Sequence, residues 1–363
     1  MMNFDFNKLH AFTKHVFIAC GMPEGEAKLA SDVLLTADLR GIDSHGVARL
    51  SGYVRLYKAK RANMNPIVKV LHETPSTATI DADKGLGLTV APKAMQIAIE
   101  KAKLVGTGWV AIQNSNHFGI AAFHAMMALE HDMIGIAMTN ASPLVAPTNS
   151  KERMLGTNPM CYVFPAGKHQ PIVVDLATST AANGKLEIAQ RANKQVPKGW
   201  IIDENGNDTT NPNALKNGGV LQPLGSGETQ AGHKGFGLSA VVDIFSAVLS
   251  GANYGPWVPP FVSFLNPLTD LPGKGIGHFV GAMRIDAFRP AQEFKQHMDN
   301  WIDRFKIATP IHLDIPVIIP GEPEFANHKE RMANGIPLNK FVVEDLKKLA
   351  HELNISWIDE TIN

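Results

Sequence analysis

The sequence predicts an α/β protein with a helical lobe drawn from both ends of the chain. Three observations predict it. Between Thr74 and Asn140, short β-branched runs alternate with longer helical patterns, the texture of layered α/β folds. Residues 7–60 carry helical periodicity alone, and an amphipathic helix from Phe341 to Leu353 offers an apolar stripe that can pack back on them. At 363 residues the chain can bury a large core in one big or two medium domains. The division that follows is a lobe of residues 1–73 with 306–363, and an α/β core of residues 74–305.

Taken in order, Leu9, Phe12, Val16 and Phe17 keep helical spacing until Gly21 stops the first helix. Pro23 opens a second helix that carries Ala27, Ala30, Val33, Leu34 and Ala37 as far as Gly41. A third is expected to start at Ser44 as its cap, with Val47, Leu50, Val54 and Leu56 on its packing side. Ala78–Asp81, Gly108–Gln113 and Ile134–Met138 read as strands, and Thr89–Val105 and Phe118–Glu130 as the helices between them. Tyr162-Val163-Phe164 and Ile172-Val173-Val174-Asp175 form a strand pair, with a helix after Asn183. Val196 to Gly232 is rich in Asn, Pro and Gly and reads as a surface excursion. Gly232-His233-Lys234-Gly235-Phe236-Gly237 then reads as a glycine loop opening a strongly apolar helix from Leu238 to Leu249. Its free N–H groups, with Lys234, suit a phosphate. Gly277 to Ile285 is a further core strand, Pro290 begins a helix to about Phe305, and Pro320-Gly321-Glu322-Pro323 is a turn.

Composition narrows the function classes. Hydrophobic residues make up 45% and charged residues 19%, with 34 basic against 34 acidic side chains, so nucleic acid and membrane surfaces are not the expected partners. Cys20 and Cys161 have no CxxC spacing, which points away from a disulfide framework or a thiolate metal site and toward a reducing cytosol. The N-terminus shows no leader pattern and no run of about 18 apolar residues occurs, so a soluble cytoplasmic protein is expected.

Chemistry concentrates in two places. In Arg40-Gly41-Ile42-Asp43-Ser44-His45-Gly46-Val47-Ala48-Arg49 a helix begun at Ser44 would set His45, Arg49 and Tyr53 on one face. That face joins a titratable imidazole, a guanidinium fork and a phenol, which suits binding and proton transfer on a small carboxylic acid. In Asn114-Ser115-Asn116-His117-Phe118-Gly119 a second histidine follows a strand, the end at which open α/β sheets bind ligands. Other chemistries fit worse. Asp43-Ser44-His45 cannot act as a hydrolase triad, since adjacent residues do not lay their side chains end to end, and no GxSxG elbow exists. His117 and His124 lack an acidic or cysteine ligand nearby, so no metal is expected. Gly235-Phe236-Gly237-Leu238-Ser239-Ala240 matches GxGxxA but follows no strand, so it fails as a Rossmann fingerprint. A non-catalytic nucleotide-binding protein is the alternative of a different class.

Arg40-Gly41, Ser44-His45-Gly46, Arg49, Asn116-His117, Gly156-Thr157-Asn158-Pro159, Asp175-Leu176-Ala177-Thr178-Ser179, Gly232 to Gly237 and Pro320-Gly321-Glu322 occur in that order over about Phe6 to Leu353. This ordered set resembles the type-2 malate/L-lactate dehydrogenases, a group that also holds ureidoglycolate, sulfolactate, diketogulonate and cyclic imino acid oxidoreductases. The resemblance implies a mixed sheet with a non-Rossmann nicotinamide-binding core, a homodimer, and hydride transfer between NAD(P)H and a 2-oxo acid/2-hydroxy acid pair. Malate or L-lactate is the leading substrate, and NAD the leading cofactor with NADP second. It places substrate against Ser44, Arg49 and Tyr53, with His117 and His45 catalytic. His117 is favoured as proton donor, although either histidine can serve. It places the cofactor against Ala141, Ser142 and Pro143, Asp175, Leu176 and Ala177, Lys234 and Gly235, and Pro320, Gly321 and Glu322. Leu176 and Phe236 stand where relatives often carry Met and Tyr.

Overall fold

Alanines and glycines decide how closely the first layers pack. Ala91, Ala94, Ala98 and Ala102 are all buried on one long helix, and Gly108 lies on the strand beneath, where a Cβ would meet Ala98 O at 1.9 Å. The computed structural model describes residues 2–227 and 230–358. Its elements in chain order are β1 (Met2–Phe4), α1 (Phe6–Ala19), α2 (Glu24–Leu39), α3 (Leu50–Lys58), β2 (Lys69–Glu73), β3 (Thr77–Asp81), α4 (Gly87–Val105) and β4 (Thr107–Ser115). They continue with α5 (Ala121–Met126), β5 (Met133–Thr139), β6 (Met160–Phe164), β7 (Ile172–Leu176), α6 (Asn183–Arg191), β8 (Ile201–Ile202), β9 (Asp208–Thr209) and β10 (Val220–Leu221). The last are α7 (Gly232–Asp243), β11 (Ile276–Arg284), α8 (Ala291–Lys306), α9 (Glu322–Asn334), β12 (Ile336–Leu338) and α10 (Lys340–Glu352). Residues 1 and 359–363 of the expected lobe, and 228–229 of the expected excursion, lie outside the described residues.

The main sheet has seven strands in the order β2-β3-β4-β11-β5-β6-β7. Among the described residues β3 against β4 is its one parallel pair, and the remaining neighbours run antiparallel. The fold is therefore mixed α/β. β11, far along the chain, inserts between β4 and β5 and brings His278 level with Thr139 and Ile112.

The chain ends do meet. Met2, Asn3 and Phe4 pair with Leu338, Pro337 and Ile336, and Leu9, Phe12, Val16, Leu34, Leu50, Leu346 and Leu349 share one buried cluster. Each such leucine contributes about 1.5–3 kcal/mol through burial. Asp5 caps α1 by accepting from Lys8 N at 3.0 Å.

Several local expectations are corrected. The sheet begins at Lys69, before Thr74, because β2 is an exposed edge strand without the alternation that marks a half-buried one. Ser44 caps no helix: residues 41–46 form a turn, Val47–Arg49 a 3₁₀ turn, and α3 starts at Leu50. The helix expected over Phe118–Glu130 is shorter, with α5 followed by a 3₁₀ stretch over Met127–His131. The segment after Val196 is more than a surface excursion, since β8, β9 and β10 form a small sheet over Leu144, Leu186, Ile201, Leu215 and Leu221. Gly232–Gly237 lies inside α7, which continues as a π-helical turn over Ile244–Val248. α9 went unread because none of its residues is buried. On α10 Val343, Leu346, Leu349 and Ala350 are buried, whereas Phe341 is half exposed.

Candidate active site

The turn that carries His45 is fixed from below by Asp38, at the end of α2. Its carboxylate accepts from Val47 N at 2.8 Å, and burial raises its pKa to about 8. Gly46 allows this approach, because a Cβ there would fall 1.9 Å from Asp38 Oδ1. Arg331 from α9 closes the outer side by pairing with Asp43. The second histidine is fixed as tightly. Asn116 donates its side-chain amide to Lys84 O at 2.8 Å and its N–H to Gly85 O at 3.0 Å, so His117 leaves the end of β4 in one direction.

These two supports bring the imidazoles together. The His45 and His117 rings lie 5.8 Å apart and 20° from parallel. Ser44 Oγ is 2.9 Å from His45 Nδ1, and Tyr53 Oη is 2.6 Å from His117 Nδ1. Tyr53 is fully buried behind His117 and does not line the pocket. Gly119 N also approaches Nδ1, at 3.3 Å. A backbone N–H can only donate and favours an unprotonated Nδ1, whereas the phenol oxygen can accept from Nδ1–H. The phenol can also donate to an unprotonated Nδ1, so both tautomers are held; in either one Nδ1 is occupied and Nε2 is the ring atom left to exchange a proton. Phe261 stacks on His117 at 4.6 Å and is held through its N–H on Ser142 Oγ at 2.8 Å.

Burial sets the electrostatics. It lowers the His45 pKa to about 4, with the Arg49 charge adding to the effect. It also holds His117 well below the ordinary imidazole value, reinforced by His45 and Arg49. Both rings are therefore neutral near pH 7. Behind them His278 is buried with Nδ1 on Thr139 Oγ1 at 2.7 Å and Nε2 on Ser115 Oγ at 2.8 Å. It stacks on Phe118, next to His117, so a fully bonded layer backs the site.

The pocket in front is a small one of about 80 Å³ and is open to solvent. His45, Arg49 and His117 line it together with Gly119, Ala141, Ser142, Thr157 and Pro159. Ser44 faces an adjoining hollow on the other side of Arg49. Pro143, Asp175, Leu176, Ala177, Lys234, Gly235, Pro320, Gly321 and Glu322 are not among the lining residues. The Asp175 carboxylate accepts from Ala122 N at 3.0 Å, and burial raises its pKa to about 6. Glu322 accepts from Ile319 N and from Lys306 Nζ, at 3.0 and 2.9 Å, while Pro320 O accepts from Val173 N at 3.1 Å. Asn158 links the Ala141 loop to α7, accepting from Ala141 N and donating to Ser239 Oγ, each at 3.1 Å. Sequence reasoning missed Phe261, Asn183, Gly184 and Glu187. The first lay in a proline-rich stretch and the others at the start of a helix read only for its caps.

One guanidinium and two neutral imidazoles around an open pocket form a site for proton exchange on a carboxylic acid. Residues 4–347 match the sequence pattern of the malate/L-lactate dehydrogenase family, and the chain belongs to that family. A malate dehydrogenase from Pyrococcus abyssi (strain GE5 / Orsay) is 42% identical over 355 residues, covering 97% of this chain and 95% of the relative. An L-sulfolactate dehydrogenase from Methanocaldococcus jannaschii is 37% identical over 339 residues, 93% of this chain and 94% of the relative. The solved structure of malate dehydrogenase from Pyrococcus horikoshii OT3 superposes with a TM-score of 0.88 at 39% identity, covering 98% of this chain and 97% of that one. The protein is thus a 2-hydroxy acid dehydrogenase, an oxidoreductase that uses a nicotinamide cofactor and a small 2-oxo or 2-hydroxy acid.

Proposed function

We propose that the pocket interconverts oxaloacetate and malate with NAD, NADP being the second choice of cofactor and pyruvate/lactate the second substrate pair. The observation that carries this reading is the convergence of Arg49, His45 and His117 on one pocket wall. Arg49 grips the substrate carboxylate through the end of its fork, since its Nε already donates to Ser44 O at 2.6 Å. His117 delivers a proton from Nε2 to the oxygen of the 2-oxo group, or takes it back from the 2-hydroxy group in the reverse reaction. Tyr53 holds the opposite ring nitrogen, and His45 polarises the carbonyl. The small residues Gly119, Ala141, Ser142, Thr157 and Pro159 leave room for a flat ring beside the two imidazoles. A nicotinamide held there would supply or take up the hydride. With one parallel strand pair in the sheet among the described residues, a non-Rossmann site is the reading we adopt. The residues outside the pocket wall, Pro143, Asp175 to Ala177, Lys234, Gly235 and Pro320 to Glu322, are assigned to the rest of the dinucleotide.

The test is spectrophotometric. NADH mixed with the protein should lose its absorbance rapidly on adding oxaloacetate, more slowly with pyruvate, and with NADPH less well than with NADH. Absence of oxidation with every 2-oxo acid offered would refute the assignment.

We also assign a homodimer. Leu238, Val241, Ile244, Phe245, Val248 and Leu249 on α7 and its π turn are 39–56% exposed, and a continuous apolar patch of this kind marks a protein contact. Sedimentation should therefore return twice the 39.3 kDa of one chain; a single-chain mass at micromolar concentration would contradict it. Among the described residues no helix is long and apolar enough to cross a membrane, and both cysteines are free and buried, which supports placing the protein in the cytosol.

A further inference from the structure

Arg49 already has a carboxylate beside it. Its Nη1 lies 3.3 Å from Glu187 Oε2 on α6, and the other Glu187 oxygen accepts from Asn183 Nδ2 at 2.8 Å. α6 comes this close because residue 184 is glycine. A Cβ there would fall 2.5 Å from Ser44 Cβ and 2.9 Å from Arg49 Nη2. Ala182, Asn183 and Gly184 line the same pocket as His45 and His117, so the start of α6 is a wall of the site, and Glu187, one turn on, reaches the pocket's one guanidinium from the adjoining hollow that Ser44 also lines. The pair is weak, being 3.3 Å long with side chains 17% and 28% exposed. Ser44 O, holding Nε, keeps the guanidinium in place whether or not Glu187 stays.

The geometry points to Glu187 as an internal stand-in for the substrate carboxylate: it occupies Nη1 of Arg49 and must yield it before a 2-oxo acid is gripped. Glu187 is thus a positioning residue that acts through Arg49 and sets substrate affinity. This rests on the reading of Arg49 as the carboxylate ligand. A specificity effect follows from charge alone. A dianionic acid is repelled by Glu187 more than a monoanionic one of similar size, so this side chain disfavours dicarboxylates relative to monocarboxylates.

Glu187→Gln keeps the shape and removes the charge. KM for oxaloacetate should fall roughly three- to fivefold, the factor carried by a weak, partly exposed ion pair. KM for pyruvate should fall by less, kcat should stay within about twofold, and added salt should narrow the difference between wild type and variant. Thermal melting of both proteins checks that the fold is unchanged. A side chain that merely propped Arg49 would give the opposite result, a raised KM for both acids, and either that or an unchanged KM overturns the assignment. A wild-type protein that oxidises NADH with neither acid would refute the parent reading and this one with it, an outcome distinct from an active enzyme indifferent to the substitution.

Discussion

His117→Asn is expected to lower kcat by about 10²- to 10⁴-fold in both directions, the range that a positioned acid–base group contributes. Asparagine keeps a polar side chain next to Tyr53 and Phe261 but cannot exchange a proton, so KM should move far less than kcat. The pH dependence gives a second signature. Burial holds the free His117 well below 6.5, so it is unprotonated at neutral pH and ready to accept the hydroxyl proton of a 2-hydroxy acid. Oxidation should therefore lose kcat/KM only as pH falls below the ordinary histidine range. Reduction requires the protonated ring and should gain as pH falls, until the fold itself gives way. The arriving substrate anion offsets part of the depression by stabilising the imidazolium. Both trends should vanish in His117→Asn. A variant within tenfold of wild-type kcat would transfer the role to His45, whose ring lies 5.8 Å away.

Arg49→Gln should reduce kcat/KM by about 30-fold to several thousandfold, because losing one partner of a charge-assisted pair costs about 2–5 kcal/mol. Most of the loss should appear in KM, since the carboxylate is bound in ground state and transition state alike. Arg49→Lys is a sharper probe. It keeps the charge but lacks the planar fork, and it loses the Nε bond to Ser44 O that fixes the group. Its kcat/KM should fall between wild type and Arg49→Gln. Steady-state kinetics with oxaloacetate and pyruvate check both variants, and an Arg49→Gln enzyme with unchanged KM would remove Arg49 from the substrate site.

The layers and the helical lobe were legible because they rest on periodicity. Leu9, Phe12, Val16 and Phe17 are all buried, as their spacing required. The two histidines were legible as types at element junctions, but not the 5.8 Å between them, which depends on Asp38 and Asn116 holding two distant turns. β11 was read as a strand, yet its place between β4 and β5 had no local signal. The Gly232–Gly237 segment misled because glycine usually breaks helices. Here two of the three glycines are needed for close packing, as a Cβ on Gly232 would meet Ser226 O at 1.7 Å and one on Gly235 would meet Leu224 O at 2.1 Å, whereas one on Gly237 would meet nothing. Glu187 could not be found from its neighbours in sequence, because its importance comes from Arg49, which is far away in the chain and meets it only in the folded protein.

One acid binds between Arg49 and His117. A crystal structure with NADH and oxamate, an unreactive isostere of a 2-oxo acid, tests it most directly. The oxamate carboxylate should lie on the Arg49 fork in place of Glu187, with its oxo oxygen within hydrogen-bond reach of His117 Nε2. Oxamate bound away from both residues, or Arg49 still paired with Glu187 in a fully occupied site, would contradict it.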